Sequence, residues 1–232
     1  MQSTTAPITT DILFISFNES NADKNWLELK RRFPQALRVH GVSGIRKAHE
    51  KAAELSRTPF FFVVDGDNRL RPDFHFTLPA ETLREDTLYV WRCHNPVNDL
   101  IYGYGAVKLY NKTLVQNRLQ KTYVDLATTV TEHYRIVSDV ASETHFFSTP
   151  EEAWRGAFRE CAKLAAGIID RQKEQETLSR LEQWCSVARP VPNAEWVLKG
   201  ANQGRDFGTS HKDQITKIND FTWLKQRFLE NE

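Results

Sequence analysis

Apolar residues fall in short, dense runs early in the chain and at helical spacing later. Ile12-Leu13-Phe14-Ile15-Ser16-Phe17 and Phe60-Phe61-Phe62-Val63-Val64 are nearly unbroken, and both predict strands buried on two faces. Between them Trp26, Leu29 and Phe33 recur at helical spacing from about Ala22, and Pro34 ends that helix. Leu37-Arg38-Val39-His40 reads as a short strand. Gly41 and Gly44 flank a turn, Ser43 is the expected cap, and Ile45, Ala48, Ala52 and Leu55 line a second helix. Strand, helix, strand, helix, strand with right-handed crossovers predicts a parallel sheet of the nucleotide-binding type.

The pattern changes after Asp67. Pro72 and Pro79 bracket a loop. Thr87 to Arg92 reads as a strand, Asn95 to Asp99 as a polar turn, and Ile101 to Tyr110 as a strand with glycines where backbone comes close. This half looks antiparallel, so the central sheet is expected to be mixed. Tyr134 to Val140 and Thr144 to Phe147 read as short strands. Thr149-Pro150-Glu151-Glu152 opens a helix with a capping box and a proline in its first turn. Trp154, Phe158, Cys161, Ala165 and Ile168 follow on one face, then Leu178, Leu181 and Trp184 on another. Residues 186–212 hold Pro190, Pro192, Gly200, Gly204 and Gly208 among basic residues and read as a basic, loop-rich stretch. Asn219 or Asp220 caps a last helix with Phe221, Leu224 and Phe228. The expected organisation is a flexible lead-in over 1–10, a Rossmann-like α/β core over 11–148, and a helical extension with a basic loop over 149–232.

Composition narrows the class. With 232 residues, 40% hydrophobic and 26% charged, the chain suits a soluble globular protein of one or two domains. A net charge of +1 gives no global attraction for a polyanion, though a local patch remains open. Cys93, Cys161 and Cys185 are odd in number and lack metal-ligand spacing, which predicts reduced thiols in a cytoplasm. No apolar run approaches the roughly 20 residues of a membrane span, and the N-terminus has no signal-peptide core.

The chemistry is expected where the strand over Phe60 to Val64 runs into Asp65-Gly66-Asp67-Asn68. Ligands of open α/β sheets gather beyond the carboxyl ends of strands. Carboxylates one residue apart repel unless a cation lies between them, and Mg2+ or Mn2+ bridging substrate phosphates does this. Gly66 allows a sharp turn and close approach. A solvated turn is the plainer alternative. An EF-hand is excluded, because Leu70 and Phe76 stand at the loop's sixth and twelfth positions. Three strand ends converge, at Phe17-Asn18-Glu19, His40-Gly41 and Asp65 to Asp67, which favours a nucleotide-phosphate site with a metal.

The first strand Ile12 to Phe17, the helix from Gly44 to Leu55 and Asp65-Gly66-Asp67 together resemble glycosyltransferases of the A-type fold. More narrowly, Arg38 to Val42, Val63 to Asp67, Gly103 to Lys108 and Ala157 to Cys161 are similar to transferase-like proteins of tailed phages. Some of that group resemble enzymes that glycosylate hydroxymethylated pyrimidines in DNA. The resemblance covers about residues 11–147. It implies a metal-dependent glycosyltransferase with a nucleotide-sugar donor, most often a UDP-sugar, and 5-hydroxymethylcytosine in DNA as acceptor, in a host cytoplasm. Phe17, Asn18, Glu19, His40 and Gly41 would border the base and ribose. Asp65 and Asp67 would take the metal, with His145 as third ligand or as an ordinary strand histidine. His49 stands where many relatives carry an asparagine. Arg46 and Lys47 would face the phosphates or else form a solvated helix face. Asp125 or Asp99 would be the acceptor base. Trp91, Tyr102 and Tyr104 would stack on sugar or base, or else fill the core, and Arg189, Lys199 and Arg205 would grip DNA phosphates.

Other classes remain open. A phosphotransferase of the haloacid-dehalogenase kind also uses Asp-X-Asp, but after its first strand. A nucleotidyltransferase would need the same metal with a nucleoside triphosphate. A non-catalytic nucleotide- or DNA-binding module would keep only the fold.

Overall fold

The computed structural model describes residues 10–78, 80–103, 106–118, 126, 130–168 and 173–230. Most of the lead-in, Tyr104 and Asp125 lie outside the described residues. The chain divides into two compact units. The first holds the chain up to His94, Ile101–Lys121 and Leu126–Thr144; the second holds Asn95–Leu100, Thr122–Asp125 and His145–Glu232.

The first unit is built on one eight-stranded sheet. Its strands are β1 (Asp11–Ser16), β2 (Leu37–His40), β3 (Phe60–Asp65), β4 (Asn68–Leu70), β5 (Thr87–Asn95), β6 (Leu100–Tyr102), β7 (Val107–Asn111) and β8 (His133–Thr144). The order is β2-β1-β3-β7-β5-β8-β4, with β6 beside β5. β1 runs parallel to β2 and β3, while β7 is antiparallel to β3 and β5. The protein is therefore an α/β protein with a mixed central sheet, consistent with a Rossmann-like fold. Helices α1 (Ala22–Arg32) and α2 (Ile45–Leu55) make the crossovers, and α3 (Lys112–Arg118) follows β7. Every residue of β1 is buried, as its apolar run requires.

Several local expectations are corrected. The N-cap of α2 is Gly44 rather than Ser43, with φ at 93°, a conformation that a side chain would strain. Ile101 to Tyr110 is two strands, β6 ending at Tyr102 and β7 beginning at Val107. The two short strands expected over 134–147 are one strand that ends at Thr144, irregular where it pairs with β5 around Trp91 to Cys93. Trp91 is 1% exposed, with its ring 5.3 Å from Phe62 and 6.2 Å from Phe74. Tyr102 is buried too. Neither offers a face for stacking on a ligand, because each has been spent on the core.

The second unit is helical: α4 (Pro150–Ala166), α5 (Glu174–Ser186), α6 (Ala194–Ser210), a 3-10 turn (Lys212–Asn219) and α7 (Phe221–Leu229). Its starts follow the sequence. Thr149 Oγ accepts from the Glu152 amide at 3.2 Å, and Asp220 Oδ1 accepts from the amides of Thr222 and Trp223, both at 3.0 Å. The basic loop is corrected, since most of 186–212 is α6. Gly200, Gly204 and Gly208, spaced one helical turn apart, lie against the backbone of α4. A Cβ there would stand 2.3, 2.2 and 2.3 Å from the carbonyl oxygens of Trp154, Phe158 and Ala162. Trp154, Phe158, Phe207, Ile218, Leu224 and Phe228 fill the core around this contact.

Candidate functional site

The parallel register sets Ser16 opposite His40 and Ile15 opposite Asp65, so β1, β2 and β3 finish side by side. Backbone and side chains then tie the ends together. The Gly41 amide donates to Ser16 O at 3.0 Å, with Gly41 at a positive φ of 72°. Ser16 Oγ lies 3.0 Å from His40 Nδ1 and accepts from Arg38 Nε at 3.0 Å. Arg38 also pairs with Asp23 at 2.8 Å. Beyond Ser16, Phe17 is 41% exposed, Asn18 is exposed, and the Phe17 amide donates to Glu19 Oε2 at 2.8 Å.

Gly66 fits closely under this turn. A Cβ on it would lie 2.8 Å from Ser16 Cβ and 2.9 Å from Glu19 Oε2. Its φ is not positive, so glycine serves here for close approach alone. Asn25 of α1, itself buried, donates to Gly66 O at 2.9 Å and holds the peptide in place. The result is three carboxylates at one strand end. Asp65 is neutralised by the buried Lys108 of β7, 3.0 Å from Oδ2. Among the described residues, no cation is paired with Asp67 in the same way. Burial, then the charges of Asp65 and Glu19, push its carboxyl up to about 7.

A second layer orients Asp67. Asn68 Nδ2 donates to Asp67 Oδ1 at 2.7 Å. Asn68 Oδ1 in turn accepts from Cys93 Sγ and Ser142 Oγ, each at 3.3 Å. Those two donors fix which way the Asn68 amide faces. Cys93 is buried, and burial drives its thiol up to about 12, so it serves as a neutral donor.

The remaining candidates divide. His49 is 1% exposed, its Nδ1 lies 2.9 Å from Ile45 O, and its ring meets Tyr110 edge-on at 5.3 Å. That burial gives it no direct hold on a soluble donor. Arg46 lies 3.8 Å from Glu50 on the face of α2. Asp99, His145, Arg189, Lys199 and Arg205 all belong to the second unit. There Arg189 is ion-paired with Asp99, Arg205 lies 3.0 Å from Asp206, and the Lys199 ammonium sits 4.7 Å from the Trp196 ring. The His145 ring lies 5.5 Å from that of Phe147. Among the described residues, no group of three His, Cys, Asp or Glu side chains is arranged to hold a metal ion. Sequence reasoning missed Lys108, Asn25 and Asn68. The signal for Lys108 was a lone lysine between Val107 and Leu109 in an apolar strand.

The fold and site define an α/β protein with a carboxylate-lined strand end. No family model matches the chain, and no curated protein matches it. Among solved structures it is similar to HddC from Yersinia pseudotuberculosis, with a TM-score of 0.35 and 12% identity over 57% of this chain and 71% of that one. At that distance the likeness says nothing of activity. No described helix is long and apolar enough to cross a membrane.

Proposed function

We propose that this protein is a metal-dependent glycosyltransferase of the A-type fold, acting on a nucleotide-sugar donor, with UDP-sugars first among them. The observation that supports this is the crowding of Asp67 by Asp65 and Glu19 at the end of β3. An all-oxygen set of this kind suits Mg2+ or Mn2+. The residues fit such an ion, since a cation offsets both the burial and the neighbouring charges that raise Asp67, and an ion shared with substrate phosphates needs only one or two protein carboxylates. Asp67 would hold it, with Asp65 alongside. When bound, the ion offsets the charge that builds on a diphosphate leaving group. Phe17, exposed beside His40, would take the face of the base, and the Ser16–His40–Arg38 set would border the ribose.

The acceptor rests on the phage resemblance, which points to the hydroxyl of 5-hydroxymethylcytosine in DNA. That hydroxyl needs a base within hydrogen-bond reach, and Asp125 and Asp99 are the candidates. Asp99 is already ion-paired with Arg189, which favours Asp125. The test is incubation with Mn2+, a panel of nucleotide sugars and DNA carrying the modified base. Expected are release of nucleoside diphosphate and a hexose-sized mass gain on the modified nucleoside. Diphosphate release without that gain keeps the transferase and removes the DNA acceptor. Phosphate or pyrophosphate released from a nucleoside triphosphate, with no sugar transfer, favours the phosphotransferase or nucleotidyltransferase reading. Asp67→Asn is expected to weaken UDP binding in Mn2+ roughly 100-fold while the fold stays intact. Undiminished binding by the folded variant would remove the metal claim.

A further inference from the structure

The first unit holds a cavity of about 150 Å3 where α1 lies beside β4, and the proposed transfer reaction does not use it. Phe14, Leu29 and Val64 are buried and close its inner end, while Leu70 and Pro72 flank its more exposed mouth. Two buried amides, Asn25 and Asn68, complete the wall. Each is already committed, Asn25 to Gly66 O at 2.9 Å and Asn68 to Asp67 Oδ1 at 2.7 Å. The charge on the lining is lopsided, with the guanidinium groups of Arg31, Arg32 and Arg69 against the carboxylate of Glu28 alone. Arg69 Nε lies 3.1 Å from Glu28 Oε2, so those two charges offset each other. Arg32 donates to the carbonyls of Arg71, Pro72 and Phe74, at 2.9, 3.1 and 2.8 Å, which fastens the chain after β4 to α1. Arg31 is exposed and in no ion pair among the described residues.

We propose that this cavity binds a small aromatic carboxylate, its ring at the apolar inner end and its carboxylate at the mouth against Arg31. Size sets the ring, because an apolar space of about 150 Å3 holds a single benzene ring. Charge sets the headgroup. A guanidinium offers a carboxylate two parallel N–H donors, and Arg31 is the one of the three whose donors are uncommitted among the described residues. Both parts are needed. A neutral ring leaves the excess positive charge unanswered, and a bare anion leaves the apolar end against water. Glu28 competes for the same mouth, since its carboxylate occupies Arg69. Binding here requires neither a metal nor a nucleotide, so it does not rest on the transferase reading. It does touch that site from behind, because the ligand lies against the two amides that hold Gly66 and Asp67.

The test uses the full chain in metal-free buffer at neutral pH, with benzoate as the probe. Calorimetry gives the affinity, and the side-chain amide resonances of isotope-labelled protein give the place. Benzoate is expected to saturate a single site and to move the resonances of Asn25 and Asn68. Benzamide, which keeps the ring and loses the charge, and acetate, which keeps the charge and loses the ring, should each bind roughly 10-fold more weakly or worse. Arg31→Gln, at an exposed position that leaves the fold alone, should weaken benzoate roughly 10-fold. Lys51→Gln removes the same charge outside the cavity and should leave benzoate binding as it was. Glu28→Gln frees Arg69 and should tighten binding about threefold. The proposal is overturned by any of four results: no saturable binding of benzoate, equal binding of benzamide, equal binding of acetate or inorganic phosphate, or equal losses in the Arg31 and Lys51 variants. Shifts confined to amides other than Asn25 and Asn68 would also overturn it, by placing the ligand elsewhere.

Discussion

Gly66 and Gly204 are both pressed by close neighbours, but different chemistry meets them. A Cβ on Gly204 would strike the backbone oxygen of Phe158 at 2.2 Å. A Cβ on Gly66 would strike the Ser16 and Glu19 side chains at 2.8 and 2.9 Å. In the second unit, close approach joins two helix backbones, and the gain is packing. In the first unit, close approach brings a carboxylate to the end of a strand that already carries two. The first arrangement lowers the energy of the fold. The second raises it, as the displaced carboxyl of Asp67 shows, and a cost kept at a strand end points to ligand binding.

The largest expected effect breaks the helical side of this comparison. Gly204→Leu should destabilise the protein by ~3 kcal/mol, because α6 must move off α4 and open the core around Phe158 and Phe207. Denaturant unfolding measures it. Nucleotide binding should survive in the fraction that stays folded. A variant as stable as wild type would mean that α6 shifts freely and that the glycine contacts do not hold the unit together.

That glycine ladder also shows what the sequence made legible. β1 and β3 were readable because strands buried on both faces are nearly pure apolar runs. The starts of α4 and α7 were readable because Thr149 and Asp220 satisfy free amides in a recurring way. Helix α6 was not, because three glycines in a basic stretch look like breakers until a second helix lies against them. The full length of β8 was hidden because Tyr134 to Val140 is only partly covered and lacks clean alternation. At the site, Asp65 and Asp67 stood out by spacing, and Glu19 by its place at a strand end. Their neutralising and positioning partners Lys108 and Asn25 come from other elements, and Asn68, though next to Asp67 in sequence, is aimed by Cys93 and Ser142, so only the folded chain shows these roles.

A smaller effect sharpens the charged side. Lys108→Met leaves Asp65 without its cation beside Asp67 and Glu19, and should cost about 2 kcal/mol, discounted for the partial exposure of Asp65. Asp65→Asn in the same chain should restore most of it, since the second change removes the charge left unpaired. A double-mutant cycle by denaturant unfolding measures the coupling. If the two losses simply add, the pair is not what holds the strand end together.

The smallest effect is a slope, and it separates two titrating groups of the first unit, buried His49 and half-buried Asp67. His49 has its Nε2 buried without a hydrogen-bond partner. Burial, then the charge of Lys108, lowers its pKa to about 3 from the ordinary 6.5. Between those values the unfolded chain takes up a proton that the folded chain refuses, so stability falls as pH falls, by roughly 1.4 kcal/mol per pH unit. Asp67 acts in the opposite sense. Its folded value near 7 exceeds the ordinary 3.8, so in that window the folded chain holds the extra proton and stability rises as pH falls. Asp11, despite its burial, is held low by Arg57, and Asp73 is held low by Arg71; both lose their contributions only below the ordinary aspartate range. In metal-free buffer the wild-type profile between about pH 4 and 6.5 should therefore be nearly flat, two slopes cancelling. Asp67→Asn should expose the His49 slope, with stability dropping on acidification. His49→Phe should expose the opposite slope. Should both variants keep the wild-type profile, neither group titrates as its surroundings require, and the crowding of Asp67 is relieved within the protein rather than by a bound cation.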